Sequence, residues 1–173
     1  KSGVNDMIRL RPFKKGDAKK ILPWFDDERT MVMWCSGIFQ YPLTEEQLIS
    51  HLQKAEERED QWMMAGVDEQ GTVMGHLCMW MDFEKNHVHL GLIAVDNARR
   101  GQGLGRQMLE KALTCAFDVL EADYVTLGVF DCNPQAYACY RKVGFVEDHV
   151  EAHAAEYCGE SWSRIHMVKK RAD

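Results

Sequence analysis

The stretch that most constrains this chain is Leu90-Gly-Leu-Ile-Ala-Val-Asp-Asn-Ala-Arg-Arg-Gly-Gln-Gly-Leu-Gly-Arg106. An apolar strand runs into Arg100-Gly101-Gln102-Gly103-Leu104-Gly105, and a helix starts at once. The glycines let the backbone turn tightly and bring unpaired N–H groups close to a ligand. The helix start contributes roughly half a positive charge, and Arg99, Arg100 and Arg106 contribute whole ones. No acidic residue falls between Ala98 and Leu109. The segment reads as an anion cradle suited to a pyrophosphate. A Walker loop would need Gly-Lys-Ser/Thr at the helix start, which is absent. A dinucleotide fingerprint would put glycine where Arg106 stands and belongs in an early βαβ unit. A purely structural turn would have little use for the arginines.

Around that local cation site the chain is acidic. Its 173 residues carry 21 Lys+Arg against 27 Asp+Glu, a formal charge of −6. That argues against nucleic acid or an anionic membrane as partner, since both need a broad basic face. At 46% hydrophobic and 28% charged residues the composition is that of a globular protein. No apolar run approaches the roughly 18 residues of a membrane span. The six cysteines show no C-x-x-C and no framework spacing, which reads as reduced thiols in a cytoplasmic protein. Lys1 to Asp6 are polar and are set aside as a disordered arm or an expression remnant, leaving one domain over 7–170.

Met7 to Pro12 alternates like a short half-buried strand. Asp17 reads as the N-cap of a helix carrying Ile21, Leu22, Trp24 and Phe25, bent or ended by Pro23. Thr44-Glu-Glu-Gln47 reads as a capping box, with Leu48, His51, Leu52 and Ala55 on one face. Trp62 to Val67 and Val73 to Phe83 form an expected hairpin, followed by a strand from His87 to Val95. The helix after the glycines should run to about Leu120, burying Met108, Leu109, Ala112, Leu113, Ala116, Phe117 and Leu120. Tyr124 to Phe130 is a strand, Asn133 caps a short helix with Pro134 at its first position, and Gly144 closes it. Two last strands cover about Phe145 to Ala154 and Trp162 to Lys169. The expected fold is α/β (α+β): a mixed, mostly antiparallel sheet of six or seven strands flanked by about four helices.

Two motifs in order carry a family resemblance. Arg100-x-x-Gly103-x-Gly105 matches a pyrophosphate loop R/Q-x-x-G-x-G/A, and Asn133-Pro-Gln-Ala136-Tyr-Ala-Cys-Tyr140-Arg-Lys-Val-Gly144-Phe145 matches a second signature, N-x-x-A-x-x-x-Y with x-K-x-G-F. With both, the chain resembles the GNAT acyltransferase superfamily from Met7 to Lys169, and its opening resembles the RimJ/RimL-type branch. The resemblance implies acetyl-CoA as donor co-substrate and a primary amine as acceptor, joined in one ternary complex. It places the amides of Ile93, Ala94 and Val95 along the pantetheine, as an added strand would lie. Arg100, Gly101, Gln102, Gly103, Leu104, Gly105 and Arg106 would hold the pyrophosphate. Asn133, Ala136 and Tyr140 would sit beside the pantetheine and its sulfur. The resemblance also leaves room for a homodimer.

An attacking amine must be neutral, and a lysine-like amine has a pKa of about 10.4, so deprotonation at pH 7 costs about 4.6 kcal/mol. A base, a water chain or a desolvating pocket must offset that. The departing thiolate, of pKa about 8.5, gains roughly 2 kcal/mol on protonation, and Tyr140 stands where the family places that acid. Many relatives carry a glutamate in the preceding strand; here Val88-His89-Leu90-Gly91-Leu92 puts His89 in its place. An imidazole is a competent base at pH 7, and a polar strand residue facing solvent is the plainer alternative. Asp82 and Glu84 are further candidates for base or substrate anchor. His87 shares a strand face with His89, but no third ligand is in view and no metal is expected. Cys132 and Cys139 flank the second signature and raise a covalent acyl-cysteine route, against which packing thiols are the simpler reading.

Trp24, Trp34, Phe39, Tyr41 and Trp80 are candidates for the acceptor pocket, with Trp34, Tyr41, Trp80 and Asp82 the substrate contacts taken forward. The expected activity is transfer of acetyl to a protein N-terminus or a small-molecule amine. A CoA-binding sensor without turnover is the reading from another class. An intact Tyr140 weighs against it.

Overall fold

The structure, a computed structural model, describes residues 8–173. Its strands are β1 (Arg9–Pro12), β2 (Gln61–Val67), β3 (Val73–Asp82), β4 (His87–Val95), β5 (Tyr124–Phe130), β6 (Val146–Tyr157) and β7 (Glu160–Lys170). They form one seven-stranded sheet in the order β1-β2-β3-β4-β5-β7-β6. Every neighbouring pair is antiparallel except β4 and β5. The mixed, mostly antiparallel architecture is as expected, with Met7 lying outside the described residues.

The helices are α1 (Ala18–Ile21), α2 (Glu28–Cys35), α3 (Glu45–Glu56), α4 (Leu104–Thr114) and α5 (Pro134–Val143). They cover both faces of the sheet, which explains why β3 is almost continuously buried instead of alternating. Met74, Leu77, Met79, Leu90, Met108, Leu109 and Phe145 pack on the α4–α5 face. Phe13, Ile21, Phe25, Met31, Leu48, Met63 and Leu92 pack on the other. α4 lies close on the sheet because Gly75 has no side chain: a Cβ there would stand 2.5 Å from the Met108 sulfur.

Several expectations need correction. The helix expected from Asp17 to Phe25 is a single α turn between 3-10 turns at Lys15–Asp17 and Leu22–Phe25, where Pro23 breaks the ladder. α2 raises the helix count to five; its start is fixed by Asp27, whose carboxylate accepts from Thr30 N–H at 2.9 Å. Thr44 caps α3 as expected, but the Gln47 side chain does not close the box. It bonds instead to Gln40 and to the Pro42 carbonyl, tying down the loop before the helix. α4 ends at Thr114 and passes into one wide π turn, Cys115–Val119, in which Leu120 N–H reaches the Cys115 carbonyl. β6 and β7 are longer than their sequence pattern suggests, because irregularities at Glu147/His149 and Glu151/Ala155 interrupt the alternation.

Two backbone features open the site. β4 pairs with β5 only from His87 to His89 against Tyr124 to Thr126, and beyond Leu90 the two strands separate. At the same level β4 bulges against β3: the register moves from His76↔Ala94 to Cys78↔Gly91, with Leu92 in the left-handed region at φ 49°. A branched residue there is strained. The fully buried His76 holds it, with Nδ1 2.7 Å from the Leu92 carbonyl.

Candidate active site

The gap between β4 and β5 is the floor of a cleft of about 1380 Å³. One wall is the free edge of β4 with Ile93, Ala94 and Val95; the far end is the turn from Arg100 and Gly101 into Gly103, Leu104, Gly105 and Arg106 at the start of α4. Gly103 is the N-cap of α4 at φ 75°, with nothing within 4 Å of a Cβ built on it. The first amides of a helix have no partner within it, and Gly103, Leu104 and Gly105, which line the cleft, bring that end of α4 to it, where an anion is stabilised. The opposite wall is α5, with Asn133, Ala136, Cys139 and Tyr140. The near end is ringed by Trp34 from α2, Trp80 from β3, His89 from β4, Phe130 from β5, and Arg164 and His166 from β7.

Five sequence candidates stand elsewhere, among them Phe39, buried off the cleft lining, and Glu84, exposed in the β3–β4 turn. Gln102 is exposed and off the cleft wall. Tyr41 is also off the wall, 44% exposed, and its hydroxyl donates to the Asp26 carbonyl at 2.7 Å. Asp82 closes the β3–β4 turn by accepting from Glu84 and Lys85 N–H, both at 3.1 Å. The acid-free run around the glycines is also less isolated than its sequence suggests. Arg99 pairs with Asp68 from the β2–β3 turn at 2.8 Å, and Arg106 with Glu110 one helical turn on at 3.0 Å. Residues that sequence reasoning missed are Thr126, Phe130, Arg164 and His166. Alternation along β7 puts Arg164 and His166 on one face, but nothing local says that β7 inserts beside β5.

Local electrostatics separates the candidate acid from the candidate base. Tyr140 is 7% exposed, and burial, aided by Cys139, pushes its phenol well above the usual range. It holds its proton at neutral pH. Burial lowers His89 to about 4, helped by His87, His166 and Arg164, so its ring is neutral. Its Nδ1 lies 2.9 Å from Thr126 Oγ1. Burial pushes the Cys132 and Cys139 thiols up as well, away from the thiolate that a covalent route needs. Asn133 spends its side-chain oxygen on Ala136 N–H at 3.2 Å, capping α5.

Substituting Gly103 by alanine should lower stability by about 1–2 kcal/mol, since the αL conformation penalises a Cβ, with denaturant unfolding as the measure. An unchanged midpoint would show that the loop relaxes freely.

Among the described residues no group of three or more His, Cys, Asp or Glu is placed to hold a metal ion, and no helix is long and apolar enough to cross a membrane. Comparison with known proteins adds to this geometry. The profile of the acetyltransferase (GNAT) family matches residues 20–145. A spermidine N(1)-acetyltransferase of Vibrio cholerae serotype O1 is 26% identical over 149 residues, 84% of this chain and 82% of that protein. An N-terminal acetyltransferase complex ARD1 subunit homolog of Dictyostelium discoideum is 29% identical over 103 residues, 58% of this chain and 49% of that one. Among solved structures, the spermidine N-acetyltransferase of Vibrio cholerae in complex with CoA and spermine superimposes with a TM-score of 0.83 over 95% of each chain, at 19% identity. That last likeness is one of fold.

Proposed function

The chain belongs to the acetyltransferase (GNAT) family, and from that premise we propose that it transfers acetyl from acetyl-CoA to the primary amine of a small molecule by direct attack in a ternary complex. The observation that carries this is the cleft itself, whose walls bring the β4 edge, the α4 amides, Tyr140 and His89 to one cavity. The unpaired β4 edge would take the amide-bearing pantetheine as a strand. Arg100 and the amides of 101–106 would take the pyrophosphate. When bound, acetyl-CoA supplies the activated thioester; the protein supplies position and protons.

His89 is the base in this reading only as the first acceptor of a relay: held at about 4, its ring cannot keep the ammonium proton, so Nε2 takes it in passing and hands it on to water. Tyr140 donates its phenolic proton to the departing sulfur. Direct transfer is supported by the raised thiols of Cys132 and Cys139. A small acceptor is supported by the relative that matches over 84% of this chain, a spermidine acetyltransferase, and by the aromatic ring of Trp34, Trp80 and Phe130 around the near end. The single sheet supports one domain over 7–170, and six free thiols support a reducing, cytoplasmic setting.

Release of free CoA over a panel of amines tests this: spermidine, spermine, amino acids, aminoglycosides and unblocked peptides. Turnover with small amines is expected. Peptide N-termini running at least tenfold faster in kcat/KM would overturn the small-molecule reading, and no thiol release with any amine would overturn turnover itself.

A further inference from the structure

One hydroxyl joins the two histidines of β4. Thr126 Oγ1 lies 2.9 Å from His89 Nδ1 and 2.5 Å from His87 Nε2. The register makes this possible, since His89 sits opposite Thr126 where β4 and β5 are still paired. A hydroxyl owns a single proton and can donate to only one of the two rings. If it donates to His87, it must accept from His89, whose proton is then on Nδ1. If it donates to His89, the proton of His89 must be on Nε2. A state in which both rings donate leaves the hydroxyl proton without an acceptor among the described residues.

The direction matters because Nδ1 is engaged with Thr126, which leaves Nε2 as the ring nitrogen available to the cleft that His89 lines. Nε2 lies on the Gly91 side, 3.8 Å from where a Cβ at Gly91 would stand. A bare Nε2 can accept a hydrogen bond from the amine or a relay water and pass its proton on; a protonated Nε2 cannot. The two rings differ in surroundings. His89 is faced by His166 and Arg164 from β7, by the Trp80 ring at 5.8 Å and by His87. His87 is faced by Asp82 and Lys85, and it stacks on Tyr124 at 4.5 Å. His87 is thus the member of the pair with a carboxylate, Asp82, acting on it, whereas His89 has the Arg164 guanidinium.

We propose that His87 is a positioning residue that sets the tautomer of His89 through Thr126, and so decides whether His89 can act as a base. Neutral His87 accepts the Thr126 proton at Nε2; Thr126 accepts Nδ1–H of His89, and Nε2 of His89 is bare. Protonated His87 carries hydrogen on both nitrogens and must donate to Thr126. The hydroxyl then rotates to donate to His89 Nδ1, and His89 gives up that proton and takes one at Nε2 by exchange with water. The pair gains one proton in all, on His87, and His89 stays neutral but is no longer a base. The acid limb of turnover therefore follows the ionisation of His87, not that of His89.

This rests on the reading of His89 as the base, and the two can fail separately. The test measures kcat from pH 5 to 9 at saturating spermidine, or the best amine of the panel, in the parent, H87Q, T126V and H89Q, alongside ¹⁵N NMR of the imidazole nitrogens. Glutamine at 87 keeps an acceptor and cannot titrate, so its acid limb should move down by about one pH unit or more. Valine at 126 keeps the shape and breaks the link; its limb should move likewise, with kcat at pH 8 about tenfold lower, the lower part of the range for a disturbed general base. In the parent at pH 8 the His89 Nδ1 should carry the proton, moving to Nε2 as His87 titrates. An H87Q profile identical to the parent's, or a His89 protonated on Nε2 at pH 8, overturns the proposal. Parental turnover in H89Q overturns the base assignment instead, and leaves the tautomer exchange to be judged on the nitrogen shifts alone.

Discussion

Replacing Tyr140 by phenylalanine lowers the rate of acetyl transfer about 10²-fold or more, the range for a lost general acid, and leaves acetyl-CoA binding close to the parent's. The reasoning starts from the sulfur. A leaving thiolate of pKa about 8.5 is stabilised by roughly 2 kcal/mol at pH 7 when it is protonated on departure. Tyr140 lines the cleft from the last turns of α5, and burial keeps its phenol protonated. The ring itself is held by packing, edge-on to Phe145 at 6.4 Å, with Phe145 N–H on the Tyr140 carbonyl where Gly144 closes the helix at φ 109°. Phenylalanine keeps all of that and removes one oxygen. A structural role would show as lost stability or lost CoA affinity; an acid role shows as a slower chemical step alone. Single-turnover kinetics beside a CoA titration separates them, and parental single-turnover rates would remove Tyr140 from the mechanism.

The parts of this site that are legible in the sequence are those built within one short segment. Gly103 and Gly105 mark the turn into α4, and Asn133, Pro134 and Gly144 bracket α5, because caps and left-handed turns use local residue chemistry. The family signatures fall on these same segments. What is not legible depends on strand order. β7 comes last in the chain yet inserts between β5 and β6, which brings Arg164 and His166 to the cleft. Thr126 looks like any threonine of a β-rich segment until the register sets it beside His89. Asp82 is a candidate anchor for a cationic substrate by residue type alone, and only the folded turn shows its carboxylate accepting from Glu84 and Lys85 N–H. α2 escaped because its marker, Asp27 ahead of Thr30, sits in a segment of mixed polarity with no clean apolar stripe.

The same buried histidines that shape the cleft should make the fold fragile in mild acid. Burial holds His76 and His89 each at about 4 in the folded chain, against about 6.5 in an unfolded one. Above about pH 6.5 both states leave the rings neutral and stability is full. Between 6.5 and 4 the unfolded chain takes up protons that the folded chain refuses, so stability falls as pH falls, by about 3 kcal/mol per histidine over the window. Burial shifts His51 and His87 in the same direction, adding to the slope. Asp17 and Asp68 act in a different window. Burial works against their charge, but bonds from Arg11 and Arg99 and from backbone N–H groups outweigh it and hold both carboxyls below the usual range. Their contribution is lost only as pH drops further. Set against a typical stability of about 5–15 kcal/mol, the roughly 6 kcal/mol from the two histidines removes a large share of the fold's stability by pH 4. Denaturant titrations from pH 8 to 4 should show it, and His76→Phe isolates the cause. His76 already packs edge-on to Phe13 at 5.3 Å and Trp34 at 5.6 Å, and its Nε2 has no partner, so a phenyl ring suits the space. The variant should lose about 1–3 kcal/mol at pH 8, because the Leu92 carbonyl is left unsatisfied. Its stability should then decline with pH by about one proton less than the parent's between 6.5 and 4. An equal slope would mean that His76 is protonated in the folded state. Because the Leu92 carbonyl is also the anchor of the β4 bulge, the same variant should raise the KM for acetyl-CoA, tying the acid sensitivity of the fold to the device that opens its cleft.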